Sequence, residues 1–136
     1  MTYTISFKQA REHNACPNKY AILRQALPEY GDDDPIPITE ILRITEIGEA
    51  LWSLGYCGQE GAIDVLRRFA LACARHGEHN ADADNYAAYA CSTTSASAAA
   101  NAATYVATYA ATYAFERQWQ KEKLKEMLEE KIDNTL

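Results

Sequence analysis

Basic charge, glycine, proline and large aliphatic side chains are all in short supply in this chain, and each shortage excludes something. Thirteen Lys and Arg stand against 19 Asp and Glu, for a formal net charge of −6 over 136 residues. A protein that grips a nucleic-acid backbone normally carries a basic stripe, because phosphate neutralisation supplies most of the affinity. Direct nucleic-acid binding is therefore not expected, whereas a protein partner with a basic surface would suit this charge balance. Six glycines and four prolines, with few Val-Ile-Thr runs of period two, leave little material for turns and strands. The expected fold class is all-α, a single helical domain over residues 1–136.

Motifs of chemistry are missing too. There is no glycine-rich phosphate loop, no G-x-S-x-G and no H-E-x-x-H. Cys16, Cys57, Cys73 and Cys91 are far apart and form no C-x-x-C. With no leader sequence ahead of them, they read as reduced cytosolic thiols, mostly buried. Cys73, His76 and His79, and separately His13 with Cys16, have the right ligand types for zinc. Neither set matches a recognised zinc module, and Gly77 should break the helix between the two downstream histidines, so no metal or other cofactor is expected. A Cys/His nucleophilic pair is conceivable from the same residues, but sequence spacing cannot show that they meet. The chain is expected not to be an enzyme.

What is present is helical pattern with clear punctuation. Ser6 can cap "FKQAREHNA", and Pro17 suits the first turn of "PNKYAILRQAL". "PEYGDDDPIP" is a loop by its Gly31, Pro35 and Pro37. Thr39 is expected to open "TEILRI" and Thr45 to open "TEIGEALWSLGY", each with an acidic residue in the first turn. Gly55 and Gly58 should close that section. In "QEGAIDVLRRFALACARHG", Ile63, Leu66, Phe69, Ala70 and Cys73 make a continuous apolar face, with Gly77 as the stop. A long helical pattern then runs from about Asp82 to Ile132.

That last segment is the unusual one. No charge occurs from Tyr86 to Phe115, a length that could span a bilayer, but Ser, Thr and Asn interrupt it and Val106 is its only branched aliphatic. A membrane span is excluded by this shortage, and disorder by the wealth of Ala and Tyr. At about 100° per residue, Thr104, Thr108 and Thr112 share one strip, Tyr105, Tyr109 and Tyr113 the next, and Ala103, Ala107 and Ala111 a third. The smooth Ala face should let another backbone approach closely, with Tyr rings flanking the contact. The expected architecture is a compact bundle of short amino-terminal helices and a long Ala/Tyr-rich carboxy-terminal helix packed on the helix at 60–76. The Ser/Thr cluster at 92–97 should bond back to its own helix. Beyond "ERQWQKEK", Leu124, Met127, Leu128 and Ile132 make a second apolar patch. It should fold back on the amino-terminal helices or serve self-association, which would make a homodimer.

Acidic residues are the clearest surface signal. "EYGDDDP" places Glu29, Asp32, Asp33 and Asp34 beside Tyr30 on an exposed loop, with Glu40, Glu46 and Glu49 soon after. Glu29, Tyr30, Asp32, Asp33, Asp34 and Glu40 are the candidate partner-binding residues, a negative patch able to steer association with a basic cleft. "GEHNADADN", with Glu78, Asp82 and Asp84, is a second acidic turn.

"RRFALACAR", an Ala-rich helix and then "ERQWQKEKLKEML" together resemble a group of small helical proteins of phages and prophages, and more loosely the helical immunity proteins of bacterial polymorphic-toxin systems. The resemblance covers Ile63 to Leu128 and leaves out the acidic loop. It implies a phage or mobile-element origin and action by binding. The expected function is a non-catalytic inhibitor of a bacterial protein, for example an anti-defence inhibitor of the anti-CRISPR type. An immunity protein that neutralises a toxin and an oligomerising virion or assembly component are the alternatives.

Overall fold

The computed structural model describes residues 2–76, 79–111 and 114–130. Among them eight helices account for almost all regular structure: α1 (Phe7–Glu12), α2 (Pro17–Ala26), α3 (Ile38–Ile44), α4 (Ile47–Tyr56), α5 (Ala62–Arg75), α6 (Ala81–Ser92), α7 (Ala96–Ala110) and α8 (Ala114–Glu129). The all-α class holds, and helices packed on one another form the core. No helix among the described residues is long and apolar enough to cross a membrane.

Local signals set the first two helices. The Ser6 hydroxyl accepts from the Gln9 N–H at 3.1 Å while Gln9 Oε1 accepts from the Ser6 N–H at 2.9 Å, a reciprocal capping box that opens α1. Pro17 occupies the first turn of α2, where its missing N–H costs nothing. The next two starts differ from expectation. The N-cap of α3 is Pro37 rather than Thr39, and that of α4 is Glu46 rather than Thr45. Thr45 instead donates its hydroxyl to the Ile41 carbonyl at 2.6 Å, closing α3.

Part of the expected 28–37 loop is also ordered differently. β1 (Thr4–Ile5) and β2 (Ile36–Pro37) pair antiparallel, Thr4 opposite Pro37 and Ile5 opposite Ile36. Strands of two residues are too short to show a period-two pattern. This pair is held by its neighbours: Gln59 accepts from the Thr4 N–H at 2.6 Å and donates to the Thr2 carbonyl at 3.0 Å. Ile5 and Ile36 thereby join the buried cluster.

The largest difference lies in the carboxy-terminal half. The segment from Asp82 to Ile132 is not one continuous helix. It divides into α6, α7 and α8: the helix is interrupted at Thr93–Ser95, and α7 ends at Ala110 with Ala111 as its C-cap. At the first break the Ser/Thr cluster terminates and restarts helix. Ser92 donates to the Tyr89 carbonyl at 3.0 Å, the Thr93 hydroxyl accepts from the Ser95 N–H at 3.2 Å, and Ser95 caps α7 through the Ala98 N–H at 3.2 Å. Arg67 of α5 completes the turn by donating to the carbonyls of Ala90 and Thr93, which α6 leaves without helical partners. Further along, Thr104 and Thr108 do bond back to Ala100 and Thr104. Asn80, at the start of α6, reaches the carbonyl of Tyr109 near the end of α7, so the two helices form an antiparallel hairpin.

α7 is the centre of the fold. It packs on α5 as expected, and on α4 and α6 as well. Ala99, Ala100, Ala102, Ala103, Val106, Ala107 and Ala110 are all buried, so three neighbours cover it on most sides. Small side chains let those neighbours come close. Gly55 lies in the last turn of α4, directly against Ala96, Ser97 and Ala100 of α7. Leu66, Phe69, Ala70 and Cys73 of α5 face the same core, with Ile63 half-buried. Gly77, expected as the stop after α5, is outside the described residues.

Candidate partner-binding surfaces

The acidic loop is exposed as expected, but much of its charge is engaged within the chain. Asp32 receives both Nη atoms of Arg11, and Arg24 Nη2 lies 3.6 Å from the same carboxylate. The Arg11 hydrogen bonds hold the Asp32 carboxyl below its ordinary range. The Asp32 carbonyl also accepts from the Lys8 N–H at 3.0 Å, so this residue ties α1 and α2 to the loop. Asp34 accepts from the Gly31 N–H at 2.6 Å and closes the turn. Glu40 is bonded by Arg43 at 2.6 and 3.0 Å, and Tyr30 is half-buried against the core. Among the described residues Glu29, Asp33 and Asp34 are exposed carboxylates outside these ion pairs. With Asp32 and Glu40 paired to arginines, the patch projects less field than its residue count implies.

The carboxy-terminal apolar residues are placed inside the protein. Leu124, Met127 and Leu128 are 0%, 7% and 4% exposed, and α8 packs on α3 and α5. Their apolar surface is thus covered by the chain itself, on the first of the two alternatives the sequence left open. Ile132 lies outside the described residues. Gln120, also buried, donates to the Ala107 carbonyl at 2.9 Å and joins α8 to α7.

The cysteine and histidine candidates do not converge. Cys73 is buried in α5 and its thiol is pushed up to about 12, first by desolvation and then by the nearby Glu116. His76 Nδ1 sits 2.7 Å from Glu116 Oε2, with its ring stacked on Trp119 at 3.6 Å. His79 pairs instead with Asp84 at 2.7 Å. His13 stacks on Tyr56 at 4.7 Å, and Cys16 is exposed at the start of α2. Among the described residues no three His, Cys, Asp or Glu side chains form a metal-ligand group.

The thiols lead to a first prediction. Burial also raises Cys57, whereas Cys16 and Cys91 are exposed. A thiolate is the reactive form, so Cys57 and Cys73 are protected twice, by access and by protonation. Titration of the native protein with a chromogenic disulfide reagent at pH 8 is expected to modify Cys16 and Cys91 rapidly. Cys57 and Cys73 should react only after a denaturant is added, and rapid labelling of Cys73 would contradict its placement.

A surface the charge pattern did not reveal lies on the α6–α7 hairpin. Tyr86 stacks on Tyr105 at 4.9 Å and on Tyr109 at 5.8 Å, the planes 22° and 10° apart. Tyr89, Tyr105 and Tyr109 remain 53%, 51% and 41% exposed, far more than rings that only flank a packed contact. Around them Ala88, Ser92, Asn101 and Thr108 are exposed and uncharged, and Asp82 stands one turn before Tyr86. An acidic protein therefore presents one face with aromatic rings and almost no charge. The sequence held the signal in the uncharged run from Tyr86 to Phe115, but two helices had to fold together before the rings met.

Compared with known proteins, the chain significantly matches no family model, no curated protein and no solved structure.

Proposed function

We propose that this chain is a non-catalytic binding protein whose contact surface is the tyrosine face of the α6–α7 hairpin. The observation that carries the reading is the stacking of half-buried Tyr86 on exposed Tyr105 and Tyr109, beside exposed Tyr89, on a surface with almost no charge. Protein-binding surfaces are enriched in tyrosine and depleted of charge at their centres, and rigid stacked rings lose little entropy when a partner settles on them. Against nucleophilic catalysis by Cys73 stands its burial, which keeps the thiol protonated. The net charge of −6 favours a partner with a basic surface, with Glu29, Asp33 and Asp82 acting at longer range.

In its specific form the reading is of a phage or mobile-element protein that inhibits a bacterial protein, such as one that handles nucleic acid. Its support is the resemblance carried by residues 63–128 together with the acidic balance. Neutralisation of a toxin uses the same physics with a different target. Self-association through Leu124, Met127 and Leu128 has less support, because those side chains are buried.

The test is affinity capture from a bacterial lysate at low and high salt, followed by affinity measurement with the partner recovered. Tyr105→Ala with Tyr109→Ala is expected to weaken binding by about 30-fold or more, the scale of two interface aromatics worth about 1 kcal/mol each. Glu29→Gln with Asp33→Asn should mainly slow association and reduce its salt dependence. Equal affinity of the tyrosine variant and the parent, with its fold intact by circular dichroism, would remove this face as the contact.

A further inference from the structure

An apolar cavity of about 220 Å³ lies between α1, α2, α3 and α4. That exceeds the roughly 150 Å³ at which an apolar protein cavity can hold benzene. Its wall includes Phe7, Tyr20, Leu23, Leu27, Ile36 and Trp52. The side formed by α2 is thin, because α2 has no fully buried residue. A helix attached so lightly can yield at small cost and admit a molecule.

The polar groups of the wall indicate what that molecule carries. Glu49 is held in place: its Oε2 accepts from the Glu46 N–H at 3.2 Å as part of the α4 capping box, and its side chain is 23% exposed. The other oxygen, Oε1, faces Lys19 Nζ at 3.6 Å, beyond hydrogen-bond range, and Lys19 is 42% exposed on a flexible stem. The cavity thus has a preorganised carboxylate oxygen whose cation is loosely placed and exchangeable. A fixed carboxylate selects an ammonium at lower ordering cost than a mobile lysine selects an anion.

We infer that this cavity is a binding site for an amphiphilic amine, with the apolar tail among Phe7, Leu23 and Trp52 and the ammonium on Glu49 in place of Lys19. The site uses different helices from the tyrosine face, and the two stand independently.

Calorimetric titration with octylamine, octanol and octanoate tests the proposal, since the three share a tail and differ in head group. Octylamine is expected to bind one-to-one and about ten-fold or more tighter than octanol, the scale of one charge-assisted hydrogen bond, with octanoate weakest. Glu49→Gln keeps an acceptor for the α4 capping box and should make octylamine no better than octanol. Leu23→Trp fills the cavity from the lightly held side and should abolish binding of all three, while a cooperative melt confirms that the variant folds. Equal binding of amine and alcohol to the parent, tightest binding of octanoate, or no saturable binding of any probe would each overturn the assignment.

Discussion

Replacing Gly55 with valine is expected to destabilise the protein by about 3 kcal/mol, the upper range for forcing extra atoms into a packed contact. A Cβ at this position would stand 2.8 Å from the Ala100 Cβ, 3.2 Å from the Ser97 Cα and 3.3 Å from the Ala96 carbonyl oxygen. Two of those atoms are backbone and the third is one bond away from it, so no rotamer change can relieve the clash. α4 would have to lift off α7, and α7 is the helix on which α4, α5 and α6 all pack. Gaining a better helix former offsets only about 1 kcal/mol at most. Thermal melts should show a fall of roughly 10 °C for a chain of this size. Gly48→Ala is the matched control in the same helix, because a Cβ there meets nothing within 4 Å. It should be neutral or stabilising by up to about 1 kcal/mol. Similar melting of the two variants would show that α4 and α7 do not approach so closely.

His76→Ala should cost about 2–3 kcal/mol, chiefly by leaving a buried carboxyl without its partner. Glu116 is 5% exposed in the first turn of α8, and its Oε2 meets His76 Nδ1 at 2.7 Å. His76 itself is 36% exposed, so water reaches one edge of the pair and keeps the cost below that of a fully enclosed one. The His76 ring also lies parallel to Trp119, with centroids 3.6 Å apart and planes 5° apart, and that stacking is lost as well. The residue therefore joins the end of α5 to the start of α8. Adding Glu116→Leu to His76→Ala is expected to recover most of the lost stability, because an apolar side chain leaves nothing unsatisfied. Denaturant melts of the two single variants and the double variant measure the coupling, and strict additivity would show that the pair does not interact.

The acidic loop illustrates how far a linear reading reaches. Its exposure and turn chemistry were legible from Gly31, Pro35 and the run of aspartates. The pairing of Asp32 with Arg11 and Arg24 was not, because both arginines come from helices whose relative placement no local signal specifies. Gly55 is the opposite case. A glycine late in an apolar run reads as a stop, and only the presence of α7 against it shows that its missing side chain is the reason α4 can dock.

By itself the sequence determined the all-α class, the starts of α1 and α2, the apolar face of α5 and the packing of an Ala-rich helix on it. All but the last rest on caps, ring-constrained prolines and helical periodicity, which act within a few residues, and the last on the smooth Ala face that lets another backbone approach. Tertiary structure decided where the long Ala/Thr/Tyr pattern breaks and which tyrosines face outward. Nothing in "ACSTTSASAAAN" must end a helix, since serine and threonine can bond back to a continuing helix or cap a new one. Arg67, reaching over from α5 to the last carbonyls of α6, stabilises the second outcome. That choice folds α6 against α7 and brings Tyr86 between Tyr105 and Tyr109. The hydrogen bonds that decide it join residues 23 and 26 positions apart, beyond the reach of any local pattern.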